Sequence, residues 1–104
     1  MHRLFVYGTL TDARQVTAVL GRTPPSRPAV LPGFRAEPHP AGPWPVAAPD
    51  PATRLAGILL EELAEEDLRL LDVYEGVAEG LYARTAVTAE VDGRRVGAWA
   101  YVKL

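Results

Sequence analysis

The stretch Arg84-Thr85-Ala86-Val87-Thr88-Ala89-Glu90-Val91-Asp92-Gly93-Arg94-Arg95-Val96-Gly97-Ala98-Trp99-Ala100-Tyr101-Val102 decides the fold class. Its first half alternates, with Thr85, Val87, Ala89 and Val91 on one face, and Asp92-Gly93 is a preferred pair for a tight hairpin turn. In the return strand Val96, Ala98, Ala100 and Val102 share one face while Trp99 and Tyr101 share the other. Both faces therefore carry apolar side chains, and a sheet of this kind needs covering on both sides.

Working outward, Leu4-Phe5-Val6-Tyr7 is a short β-prone run that ends at Gly8. Asp12 and Gln15 have the spacing of a capping box, Val16, Val19 and Leu20 supply an apolar face, and Gly21 stops the segment, which predicts a short helix. Leu55 to Leu60 reads as a second buried strand. A second helix is expected to begin near Ala64 and stop at Gly76. Glu65, Glu66 and Asp67 suit the positive end of its dipole, and Leu63 and Leu68 have hydrophobic-staple spacing. All ten prolines lie between Pro24 and Pro51, which predicts an irregular covering segment with strands only as edges or short pieces, anchored by Val30-Leu31, Phe34, Trp44 and Val46. Four or five strands and two short helices imply a small α+β domain, residues 1–104, built around a strongly curved sheet or barrel.

The formal net charge of -2 offers no basic field for phosphate backbones or anionic lipid, so neither nucleic acid nor a membrane surface is the expected partner. A small polar molecule fits better, and the oligomeric state is left open. Without cysteine there is no disulfide, thiol nucleophile or cysteine-bound metal, and His2 and His39 are too isolated to suggest a metal cluster. His39, in the proline-rich segment, is expected to be exposed. Ser26, the only serine, has no triad context. Only three residues precede Leu4, too few for a signal peptide, and no segment approaches a membrane span, so a cytoplasmic location is expected.

Glu75 is the most informative candidate. It continues the helical stripe of Leu68 and Leu71 where another apolar residue is expected, so its carboxylate points inward. Burial and the negative end of the helix dipole would each raise its pKa, as a general base near neutral pH requires. The competing reading ends the helix at Asp72 or Val73 and leaves Glu75 solvated or paired with Arg84; Asp72 is the rival carboxylate. Tyr7-Gly8-Thr9-Leu10 leaves a strand and enters a capped helix, so its N–H groups either converge on an anion such as a carboxylate or form an ordinary turn. Gly8 would serve there through a positive φ or a close approach. Tyr82, Trp99 and Tyr101 either line a pocket or pack in the core.

Leu4-Phe5-Val6-Tyr7-Gly8-Thr9-Leu10, then Leu71-Asp72-Val73-Tyr74-Glu75-Gly76 followed by Tyr82-Ala83-Arg84, resemble the γ-glutamylcyclotransferase-like family, which includes plant avirulence-induced-gene proteins and γ-glutamylamine cyclotransferases. Ala29 to Phe34, Trp44-Pro45 and Leu55-Ala56-Gly57 resemble intermediate landmarks, so the similarity runs from Leu4 to Val102. The resemblance implies a small mixed β-barrel with helices packed beside it. It also implies a cyclisation in which a substrate's α-amine attacks its own γ-carbonyl, releasing 5-oxoproline and an amine. Glu75 would then be the catalytic acid/base, and the Tyr7 to Leu10 loop, with Tyr82 and Tyr101, would bind substrate. Such an enzyme, of transferase or lyase type, needs no metal or cofactor, because the nucleophile is intramolecular. The alternative is a non-catalytic module that binds a small carboxylate or amino-acid-like ligand on the same fold.

Overall fold

A computed structural model describes residues 1–104. Five strands, β1 (His2–Val6), β2 (Ser26–Pro38), β3 (Pro45–Leu63), β4 (Ala83–Val91) and β5 (Arg94–Val102), close into a barrel in the order β1-β3-β2-β4-β5. All pairings around that order are antiparallel except the seam where β1 meets β5 in parallel, at Leu4↔Trp99 and Phe5↔Ala100. The barrel is therefore mixed. Two helices, α1 (Ala13–Leu20) and α2 (Glu65–Glu75), pack on one side of it, and a single 3₁₀ turn (Thr9–Thr11) links β1 to α1.

Alternation along the strands separates two cores. Phe5, Ala29, Leu31, Ala47, Leu59, Ala89, Val91, Ala100 and Val102 point into the barrel, where four alanines leave room for the one large ring of Phe5. Gly57 belongs to the same fit: a Cβ there would stand 2.6 Å from Phe5 Cζ and 2.2 Å from the Val6 carbonyl oxygen. Leu4, Val6, Leu60, Leu63 and Tyr101 point the other way and meet Val16 of α1 and Leu68 and Leu71 of α2. The β4–β5 hairpin turns at Asp92 and Gly93, whose φ values of 51° and 77° are the two positive dihedrals of a type I′ turn.

Each helix is bounded as its sequence predicts. Asp12 caps α1 by accepting from the Arg14 N–H at 2.9 Å, and Gly21 ends it at φ 75°. Ala64 has no side-chain acceptor to cap α2; the Asp67 carboxylate instead reaches back to the Ala64 N–H at 2.8 Å and also takes Arg22. Leu63 and Leu68, both buried, flank this turn as a staple. Gly76, at φ 73°, closes the helix directly after Glu75.

The proline-rich segment corrects the expectation of irregular cover. β2 and β3 run through it as strands of 13 and 19 residues, paired from Ser26↔Leu60 to Pro38↔Pro45. Two local features make this tolerable. Only Val30 of β2 is bridged to β4, between Pro28 and Pro32, so these prolines fall where the ladder is already sparse. The register then shifts between Pro32 and Phe34, around Gly33 at φ 84°, which absorbs the chain's change of direction.

Candidate active site

The end of β1, the last turn of α2 and the segments preceding β3 and β4 surround a cavity of about 280 Å³. Seven of the residues singled out in the sequence line it: Tyr7, Gly8, Thr9 and Leu10 from the strand-to-turn loop, Glu75 from α2, Tyr82 from the approach to β4, and Tyr101 from β5. Trp99 lies outside the lining, with the Arg84 guanidinium 4.5 Å above its ring.

Glu75 is the only charged residue in that lining. Its helix runs through to Gly76, so the inward stripe Leu68-Leu71-Glu75 is preserved and the carboxylate is half-buried. It has no hydrogen-bond or ion-pair partner in the chain. Burial pushes its pKa up from 4.5 to about 7. The two rival readings resolve through Asp72: Arg84 Nε donates to Asp72 Oδ1 at 2.8 Å, so the cation belongs to Asp72 and not to Glu75.

The three tyrosines around Glu75 have their hydroxyl protons engaged elsewhere. Tyr7 donates to the Tyr101 carbonyl and accepts the Ala47 N–H at 2.9 Å; Tyr82 donates to the Pro45 carbonyl at 2.6 Å; Tyr101 donates to Asp72 Oδ1 at 2.7 Å. Burial raises all three pKa values, Tyr82 to about 12, and the Glu75 charge adds to each shift. They are thus neutral walls at neutral pH, and Glu75 is the lining's one carboxyl.

In the loop, the turn consumes the N–H groups of Thr11 and Asp12, which donate to Gly8 O at 3.0 Å and Thr9 O at 3.2 Å, while the Gly8 N–H has no acceptor in the chain. Gly8 itself corrects one expectation, because its φ is -120°. Its role is close approach: a Cβ would stand 3.3 Å from Pro45 Cγ. Thr9 Oγ1 and the Tyr74 hydroxyl, 2.8 Å apart, join the loop to α2.

His39 is a second correction. It is not exposed: Nδ1 accepts the Ala41 N–H at 3.0 Å and Nε2 donates to the Leu81 carbonyl at 2.7 Å, which fixes the neutral Nε2–H tautomer. Its ring packs on Trp44 and Tyr82, with centroids 5.8 and 5.2 Å away. Sequence reasoning missed Trp44, Pro45, Tyr74 and Leu81 as lining residues. Tyr74 had one usable signal, its place beside Glu75 in the last helical turn; the others carry none until β3 is known to begin at Pro45.

The comparisons agree with this architecture. AIG2-like protein C of Arabidopsis thaliana is 34% identical over 74 residues, 71% of this chain and 43% of that protein. The chain spans about half the length of the curated relatives it matches, 43% to 51%. An Arabidopsis thaliana protein known from a solution structure superimposes with a TM-score of 0.86 at 27% identity, over 99% of this chain and 68% of the other. A structure named as a gamma-glutamyl cyclotransferase shares the fold, with a TM-score of 0.86 at 17% identity over 99% of this chain and 66% of its own. Residues 4–104 match the family described as "Gamma-glutamyl cyclotransferase, AIG2-like". With barrel, helices and sequence in agreement over nearly its whole length, the chain belongs to that family.

Proposed function

We propose that this chain is a γ-glutamyl cyclotransferase with Glu75 as its general acid/base. The observation that carries the reading is a partnerless carboxyl, raised to about 7, as the only charge in a cavity beside the Tyr7 to Leu10 loop. At neutral pH such a carboxylate accepts a proton readily and returns it readily.

In the proposed reaction the loop holds the glutamyl end of the substrate through backbone donors, the unpaired Gly8 N–H among them. Glu75 removes a proton from the substrate's α-amine, and the nitrogen lone pair forms a bond to the γ-carbonyl carbon. Glu75 then delivers that proton to the leaving nitrogen as the original amide bond breaks. The products are 5-oxoproline and a free amine, with no net proton change beyond the amine's own equilibrium. Tyr7, Tyr82 and Tyr101 exclude water and hold the folded-back conformer, which supplies the entropic part of the acceleration.

The test is 5-oxoproline release from a panel of γ-glutamyl amines, amino acids and dipeptides, comparing the wild type with Glu75→Gln. Release by the wild type alone is expected. Equal release by both refutes the base assignment, and binding without release by the wild type makes the domain a carboxylate-binding module.

A further inference from the structure

We propose that Asp72 is a positioning residue whose carboxylate holds the Arg84 guanidinium away from Glu75, so that the cavity's one carboxyl has no cation partner. The inference rests on the reading of Glu75 as proton acceptor, and it concerns how that group is kept competent.

Asp72 and Glu75 are three residues apart on α2 and therefore neighbours on one helical face. Arg84, near the start of β4, arrives beside that face and is held at two points: Nε on Asp72 Oδ1 at 2.8 Å, and the guanidinium over the Trp99 ring at 4.5 Å. Tyr101 donates to the same Asp72 oxygen at 2.7 Å and also lines the cavity, so one side chain touches both the ion pair and the cavity that holds Glu75. The Tyr101 hydroxyl accordingly feels Asp72, Arg84 and Glu75 together.

The groups facing Glu75 from the packed elements are Tyr7 at the end of β1, Tyr82 before β4, Tyr101 on β5, and Tyr74 and Asp72 on its own helix; His39 stands behind Tyr82. Arg84 is the cation in contact with this set of residues, through Asp72. The other basic side chains nearest in sequence are engaged elsewhere, Arg69 with Glu66 and Lys103 with Glu37. Without the Asp72 charge, the Arg84 cation would stabilise the Glu75 carboxylate and weaken it as a base. Without Arg84, the Asp72 anion would have the opposite effect. In general, an uncompensated unit charge on the order of 10 Å from a carboxyl, at an effective dielectric of about 20, moves its titration by about one pH unit.

The experiment is a ¹³C NMR titration of the Glu75 side-chain carboxyl in the full chain, assigned by its loss in Glu75→Gln. Asp72→Asn is expected to lower the midpoint by about one unit, Arg84→Gln to raise it by a similar amount, and Asp72→Asn/Arg84→Gln to return it close to wild type. A mere tether between α2 and β4 is broken in both single variants, so it predicts shifts of the same sign or none; either result overturns the proposal. If Asp72→Asn does not fold, the upward shift in Arg84→Gln and its reversal in the double variant carry the same test. The acid limb of 5-oxoproline release separates the two readings. Midpoints that move as stated while that limb stays still uphold the role of Asp72 and remove Glu75 as the base. Unmoved midpoints overturn the role of Asp72 and leave the base assignment standing.

Discussion

Replacing Glu75 by glutamine should abolish turnover and stabilise the protein at the same time. Folding raises the Glu75 pKa from 4.5 to about 7, so the folded state holds this proton more tightly than the unfolded chain does. For a group shifted in this direction, stability is unaffected below the unfolded value, declines as pH rises between 4.5 and about 7, and stays reduced above that. A shift of roughly 2.5 units would correspond to about 3 kcal/mol in full. Because the carboxyl is only half-buried and solvent screens part of the penalty, about 2 kcal/mol is the expected loss at pH 8. Glutamine keeps the shape without the charge and should recover it. The assay is urea denaturation of both proteins at pH 4 and pH 8, with equal m-values confirming the same folded and unfolded states. Equal stability at pH 4 and a more stable Glu75→Gln at pH 8, with turnover down by about 10²-fold or more, is the expected outcome. Parallel stability curves across that range would refute the claim that burial raises this carboxyl.

Other expectations follow from single contacts. In the wild type, kcat/KM should fall about tenfold per pH unit below about 7, as the base becomes protonated, and a rate that is flat down to pH 5 would place the proton elsewhere. Gly57→Ala should destabilise by about 1–3 kcal/mol or more in chemical denaturation, since its Cβ has no room beside Phe5 and the Val6 carbonyl. Tyr82→Phe should lower stability by about 1–2 kcal/mol, because the Pro45 carbonyl loses its donor, and should raise KM more than it lowers kcat. His39→Ala removes the supports of Leu81, Trp44 and Tyr82 together. It should loosen the cavity wall, read as faster amide exchange at Leu81 and Tyr82 with α1 unaffected.

Local chemistry made much of the site legible. The β4–β5 hairpin follows from alternation plus Asp92-Gly93, and α2 from its acidic first turn and Gly76. The inward aim of Glu75 follows from helical period alone, because Leu68 and Leu71 fix which face is buried. Proline counting misled: a proline removes one donor, and that matters only where a neighbouring strand would have used it. Along β2 the partner on the β4 side bridges at one residue, which no property of the segment itself reveals.

What the sequence by itself determined is therefore the set of elements and the direction in which Glu75 faces, since both depend on spacing within one segment. Tertiary structure alone decided that Arg84 belongs to Asp72, that His39 props the cavity wall, and that Trp44, Pro45 and Leu81 stand across from Glu75. Each of these is a meeting between segments brought together by closure of the barrel, and the partner of a charge or a hydrogen bond is set by that closure, not by the residues on either side of it.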